Sequence, residues 1–225
     1  MRIPLFIEFE GKKVAVVGGG YVGTVRAKKF AEVGAEVTVF SLNFSEELLR
    51  LGREGKVRLV EKEASELGEE LKEFDLVVLA IGDKSLNSKF KELSRKYRFL
   101  LNLANSAEET EVVVPFEGGK DGIRFAVTTE GKSGVVARKV RELFQSVLER
   151  DETLFVYLSA MEHLKKYMKE KEFPVNVRMK IYSILGSSQE LMKIAESRDL
   201  AGAMKFVETV AEEKAKELKG VEDGF

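Results

Sequence analysis

Three glycines carry the most specific chemical signal in the chain. Gly18, Gly20 and Gly23 stand as G-x-G-x-x-G in "VAVVGGGYVG", between an apolar run and a helix-patterned segment. In that setting the first glycine permits a tight turn, the second lets the backbone approach a pyrophosphate, and the third lets the helix pack close to the strand. The free N–H groups of the helix's first turn then face the phosphates, in a dipole field worth roughly 0.3–1 kcal/mol per charge. The chemistry implied is dinucleotide binding. The acid expected about 20 residues further on, as a ribose ligand, is missing. "VTVFSLNF" offers Ser41 and Asn43 instead, and no arginine for a 2′-phosphate, so NAD is expected rather than NADP. Asn43 is a neutral partner for ribose hydroxyls, or an ordinary loop residue at a strand end.

Other chemistries are thinly supplied. The chain has no cysteine, which removes disulfides, thiolate metal sites and cysteine nucleophiles together. Its one histidine, His163, sits beside lysines in "LSAMEHLKKYM" and reads as a solvated helix residue. No histidine cluster exists to hold a resident metal, and no metal site is assigned. The charged fraction is 33% but the formal net charge is only -1, so neither nucleic acid nor an anionic membrane is an expected partner. With no apolar run of spanning length and no signal-peptide pattern, the expected setting is cytoplasmic.

The elements that must position the glycines alternate between strand and helix, the pattern of a parallel sheet flanked by helices. "VAVVG", "AEVTVF", "KVRLVE", "FDLVVLAIG" and "RFLLNLA" read as its five strands, and "IPLFIEFEGKK" as an edge strand ahead of them. "VGTVRAKKFAEVG" is a helix closed by Gly34; "SEELLRLGREG" is a second, capped by Ser45; "SLNSKFKELSRKY" is a third. After Ser106 the pattern changes. "EVVVPF" and "IRFAVTT" read as two antiparallel strands joined by the glycine-rich "EGGKDG", and Ser133 caps "GVVARKVRELFQSVLER". From Asp151 only helical patterning remains, with Met and aromatic positions read as packing. Its final "VEDGF" is expected to fray.

Four ordered pieces carry a resemblance: "IPLFIEFEGKKVAVVGGGYVGTVRAKKFAEVGAEVTVFS", "LVVLAIGDKSLN", "NLANSAEETEVVVPF" and "IRFAVTTEGKSGVVARKVRE". Together, over residues 3 to 142, they resemble the precorrin-2 dehydrogenases and siroheme synthases. The resemblance implies an α/β fold: a Rossmann-type parallel sheet over 1–110, a small α+β dimerisation segment over 111–149, and a helical C-terminal region over 150–225. It implies a homodimer that oxidises the tetrapyrrole precorrin-2 to sirohydrochlorin with NAD⁺, with ferrous iron as a further substrate if the chain also makes siroheme. Tyr21, Val22, Leu42, Asn43 and the stretch Ala80, Ile81 to Asp83 would surround the dinucleotide, and Asn87 matches a family asparagine.

The resemblance also exposes a departure. The family places an aspartate after strand five, where this chain reads "NLAN" and has Asn105. An amide accepts no proton near neutral pH. Either Asn105 orients substrate while Glu108, Glu109 or water takes the proton, or the dehydrogenase is slow, or the chain has drifted to another macrocycle or a non-catalytic role. An aspartate restored there would be expected to raise the rate. Thr128, Thr129, Lys132 and Ser133 form a polar loop suited to the acidic arms of a tetrapyrrole, as do Arg138 and Arg141 on the next helix. Capping explains Ser133 equally well. The competing function is an NAD(H)-sensing regulatory module whose helical tail engages a partner.

Overall fold

The computed structural model describes residues 2–222. Five strands form one parallel sheet: β1 (Lys13–Val17), β2 (Glu36–Ser41), β3 (Arg58–Glu61), β4 (Leu76–Leu79) and β5 (Leu100–Leu103), in the order β3-β2-β1-β4-β5. The two central strands, β1 and β4, are almost wholly apolar because both of their faces are covered. Side chains alternate between two cores. Val14, Val16, Val37, Val39 and Val78 meet Ala27 and Phe30 of α1 (Tyr21–Glu32) and Leu48 and Leu51 of α2 (Glu46–Arg53). On the other face Ala15, Val17, Val77, Leu79 and Leu101 meet Phe90 of α3 (Asn87–Tyr97) and the buried Leu67 and Leu71. Those two leucines belong to a β3–β4 connection made of short 3-10 turns rather than a full helix.

The α/β class and the parallel sheet agree with the sequence reading, and Ser45 does cap α2, accepting the N–H of Leu48 at 3.2 Å. The edge strand does not form. Residues 2–9 have no strand pairing, and Ile3, Leu5, Phe6 and Ile7 are exposed, so the apolar alternation there marks no buried face of this sheet. Phe9 alone turns inward, onto Phe30 with ring centroids 5.0 Å apart.

The chain divides into two compact units. One runs to Phe116 and takes in Thr128–Ala137; the other holds Glu117–Val127 and Arg138 onward. A hairpin, β6 (Phe116–Lys120) and β7 (Ile123–Val127), opens the second. Its first strand lies later than "EVVVPF" suggests. The glycines expected to make a loop are in the strand, because a Cβ on Gly118 would lie 2.5 Å from Phe125 and one on Gly119 2.3 Å from the Ile123 carbonyl. The turn is instead Asp121-Gly122, both at positive φ (46° and 89°), the two-residue form that suits strand twist. Four helices follow α4 (Gly134–Arg150): α5 (Thr153–Glu170), α6 (Val175–Gly186), α7 (Gln189–Glu196) and α8 (Leu200–Glu222). α8 is polar on most of its surface but buries Ala203, Val207 and Ala211, at i, i+4, i+8, against Leu164, Met168 and Ile181. "VEDGF" lies partly outside the described residues. No helix among the described residues is long and apolar enough to cross a membrane.

Candidate functional site

The register fixes where the site is. Val17 is level with Phe40 and Leu79, and Leu79 with Leu103. The segments that follow, Gly18–Gly23, Ser41–Asn43, Ala80–Asp83 and Ala104–Glu109, therefore share the carboxyl edge of the sheet, in the unit that also holds Thr128–Ser133. The chain changes direction between β1 and β4, the position at which open α/β sheets leave a crevice.

The glycine turn is shaped from outside by backbone. Gly18 has φ +116°, and a Cβ on it would lie 2.6 Å from the Ala80 carbonyl oxygen. A Cβ on Gly23 would lie 1.8 Å from the Gly18 oxygen. Gly19, which sequence reading passed over, is equally constrained: its Cβ would sit 2.1 Å from the Asn43 oxygen. The motif gives no hint of this, because the obstacle comes from the loop after β2. Ser41 Oγ accepts the N–H of Gly19 at 3.0 Å and that of Asn43 at 3.4 Å, so its oxygen fastens the turn to that loop. Ser45 N–H adds a bond to the Gly19 carbonyl at 3.1 Å. Gly20 differs from all of these. A Cβ there meets nothing within 4 Å.

Gly20 is also the N-cap of α1, with no side-chain cap and no acid in the first turn. The first intrahelical bond recorded is Thr24 N–H to Gly20 O at 2.9 Å, leaving the earlier amides of the turn without helical partners. Tyr21 (82% exposed), Val22, Leu42 and Asn43 are all exposed around this opening. Open space above Gly20, closed backbone beneath its neighbours and uncapped amides together fit the pyrophosphate of a dinucleotide. Arg26, one turn into α1, is a further feature not foreseen: its Nε is enclosed without a hydrogen-bond partner among the described residues, and burial lowers the guanidinium's pKa.

Asn105 is committed to its neighbours. Its Nδ2 donates to the Ile81 carbonyl at 3.1 Å, the Asp83 carbonyl at 3.3 Å and Asn87 Oδ1 at 3.1 Å. Two of these are main-chain oxygens, so only the amide nitrogen can face them. Its Oδ1 is enclosed and unpartnered. Asn87, buried at the start of α3, passes the chain on by donating from Nδ2 to Glu109 Oε2 at 3.1 Å. Lys91 Nζ lies 3.6 Å from the other Glu109 oxygen. Asn87 and then Lys91 hold the Glu109 carboxyl below the usual range. Asp83 is held low by Ser85, whose N–H and hydroxyl both donate to it, at 2.8 and 2.7 Å.

The polar loop after β7 is mostly occupied with its own structure. Thr129 Oγ1 accepts from Ser133 N–H at 2.9 Å and donates to the Ser133 carbonyl at 3.0 Å. Ser133 Oγ accepts the N–H of Val136 at 3.3 Å, which caps α4. Lys132 is exposed. Arg2 ties this loop to the one after β5, binding Glu130 at 2.6 Å and the carbonyls of Ala107 and Thr110 at 2.7 Å. Arg141 donates to the Glu117 carbonyl at 2.8 Å, and His163 pairs with Glu208 at 2.6 Å, both within the second unit.

Comparison with known proteins gives concordant results. Residues 5–116 match the family described as "Putative NAD(P)-binding". A protein of Methanocaldococcus jannaschii, named "Putative precorrin-2 dehydrogenase", is 31% identical over 201 residues, covering 86% of this chain and 96% of that one. The precorrin-2 dehydrogenase of Priestia megaterium is 28% identical over 151 residues, 67% of this chain and 73% of its own. Among solved structures, SirC, a precorrin-2 dehydrogenase, superposes with a TM-score of 0.68 over 92% of this chain and 100% of its own, at 22% identity, a likeness of fold.

Proposed function

The chain belongs to the precorrin-2 dehydrogenase family, and on that premise we propose that it oxidises precorrin-2 to sirohydrochlorin in the crevice at the carboxyl edge of the sheet. In this reaction the macrocycle gives up two electrons and one hydrogen as hydride, and a second hydrogen as a proton. Bound NAD⁺ supplies the hydride acceptor. The protein's own residues bind and orient. The amides opening α1 take the pyrophosphate above Gly20, with Tyr21 and Val22 beside it. Leu42 and Asn43 border the ribose, and Ala80, Ile81 and Asp83 wall the other side, supported from behind by Asn105 and Asn87. Ser41 holds the turn in shape rather than reaching outward. Lys132 is the exposed cation of its loop that meets a substrate carboxylate, since the Thr129 hydroxyl is engaged by the Ser133 main chain and the Ser133 hydroxyl by the Val136 N–H.

The observation that carries this reading is the contrast among the glycines. Gly18, Gly19 and Gly23 are shut in by main chain, and Gly20 alone of the four faces space. A homodimer belongs to the same reading, supported by the exposed Val135, Val136, Leu143, Phe144 and Val147 along α4. Light scattering coupled to gel filtration tests it. Insertion of ferrous iron is an extension, with iron as substrate rather than resident; among the described residues no group of three His, Asp or Glu side chains is placed to hold a metal.

The deciding experiment mixes purified protein with NAD⁺ and precorrin-2 and follows NADH absorbance beside the sirohydrochlorin spectrum. Stoichiometric formation of both is expected. Intact NAD⁺ binding without turnover would return the chain to the sensor reading.

A further inference from the structure

Asn105 cannot take the proton, which leaves a neighbouring carboxylate or water. Around the crevice the carboxylates differ sharply in what they are free to do. Both oxygens of Asp83 are engaged by Ser85. Glu111 accepts from Ser94 Oγ and from the N–H of Leu101, at 3.2 Å each, and so closes its own loop onto β5. Glu130 is paired with Arg2. Glu108 is exposed. Glu109 combines a fixed orientation with access, its second oxygen facing Lys91 Nζ at 3.6 Å. One oxygen is held at 3.1 Å by the 3%-exposed Asn87, while the side chain is 45% exposed.

The hydrogen-bond chain also dictates which way its oxygen must face. The carbonyls of Ile81 and Asp83 can only accept, so Asn105 must present its nitrogen to them. The same nitrogen reaches Asn87, which must therefore present its oxygen there and its nitrogen to Glu109. Glu109 Oε2 is thus obliged to accept. An amide chain anchored on two main-chain carbonyls ends in a carboxyl oxygen held as an acceptor, and Asn87 with Lys91 favours its ionised form.

We propose that Glu109 is the general base of this dehydrogenase, oriented through Asn87, and that Asn105 is a positioning residue with no proton to move. The assignment rests on the family reading above. As the macrocycle's C–H bond breaks and its electron pair leaves with the hydrogen to the nicotinamide, a macrocycle N–H bond also breaks. The electrons of that N–H bond stay in the ring and complete the new conjugation. Its proton passes to Glu109, giving the neutral acid, which then loses it to solvent through its exposed side. The proton count closes without any group beyond substrate, NAD⁺ and water. The charged groups facing Glu109 are Lys91 and Lys84, both of which favour its ionised form.

Glu109→Gln tests this, because the amide oxygen can still accept from Asn87 while the basicity is gone. Expected is a fall in kcat of about 10²–10⁴-fold, the range for loss of a general base. The KM for precorrin-2, NAD⁺ affinity by calorimetry and the melting temperature should stay near wild type. The acid limb of the wild-type kcat profile, set by a carboxyl below the usual glutamate range, should be absent from the residual rate. Glu109→Ala should regain rate with added formate, saturably. A Glu109→Gln rate within about threefold of wild type overturns the assignment alone. So does a loss confined to NAD⁺ affinity, or an Ala variant that formate does not rescue. Wild-type protein that binds NAD⁺ yet forms no NADH overturns the proposed function, and this assignment with it.

Discussion

Replacing Asn105 by aspartate puts the amide network to a test whose sign can be worked out in advance. The nitrogen now faces three acceptors at 3.1–3.3 Å. A carboxylate in its place turns three attractions into oxygen–oxygen contacts. The amide shares two hydrogens among these three acceptors; a protonated aspartate has one, and the lost bond costs about 1–3 kcal/mol. The folded state therefore favours the protonated acid, raising its pKa above the unfolded value of about 3.9. A raised acid pKa means that stability is greatest below the unfolded pKa and is lost as pH rises towards the folded one. Each pH unit in that window costs about 1.4 kcal/mol, so carrying the proton up to pH 7 costs up to about 4 kcal/mol more. Thermal melts of both proteins across pH 4 to 8 provide the assay. The deficit of Asn105→Asp should be smallest at pH 4, where only the lost bond counts, and widen steadily to more than about 2 kcal/mol at pH 7, or roughly 4–8 °C in a chain of this size. Its turnover at neutral pH should fall, although the family pattern alone would suggest a gain. A deficit that does not change with pH, or a variant as stable as wild type at pH 7, would refute the arrangement.

Three further outcomes are expected. Gly20→Ala should fold with an unchanged melting temperature yet lose NAD⁺ affinity at least tenfold by calorimetry, since its methyl enters the open space. Gly19→Ala should lose both, at a cost of about 1–3 kcal/mol, because the main chain of the β2 loop has to move; equal behaviour of the two variants would mean the phosphate contact is misplaced. In the helical unit, the Tyr167 hydroxyl donates to Glu212, which pushes its pKa up to about 12. The neutral phenol is the favoured form, so its contribution is present below about pH 10 and lost between pH 10 and 12. A tyrosinate absorbance titration should show a step near 12 that Tyr167→Phe abolishes.

What the sequence revealed follows from where local pattern and tertiary demand coincide. β1 and β4 are buried on both faces, so their apolar runs could mean little else. Ser45 was readable because capping is a contact across three residues. Gly18, Gly20 and Gly23 were readable as a motif, while Gly19 was not, since its obstacle lies at Asn43, 24 positions away. The same distance hid the partners of Asn105: its position was evident, but the carbonyls of Ile81 and Asp83 that orient its amide come from another strand's end. The segment "IPLFIEF" misled in the opposite sense. It has the alternation of a strand, and in the described unit no neighbouring strand for it to join. β6 was displaced for a reason of packing alone, the nearness of Phe125 and Ile123, which admits glycines to a strand that composition would call a loop.

The directionality of the Asn105–Asn87–Glu109 chain also constrains how such a protein can diverge. Asn105 donates both to the two carbonyls and to Asn87, and Asn87 donates to Glu109, so no single member can exchange donor for acceptor without stranding its neighbour. A lineage that exchanges amide for acid at position 105 must pass through a broken intermediate unless position 87 or 109 changes at nearly the same time. Reconstructed ancestors should therefore show these three sites replaced as a set, and grafting one of them singly between branches should be worse than grafting all three.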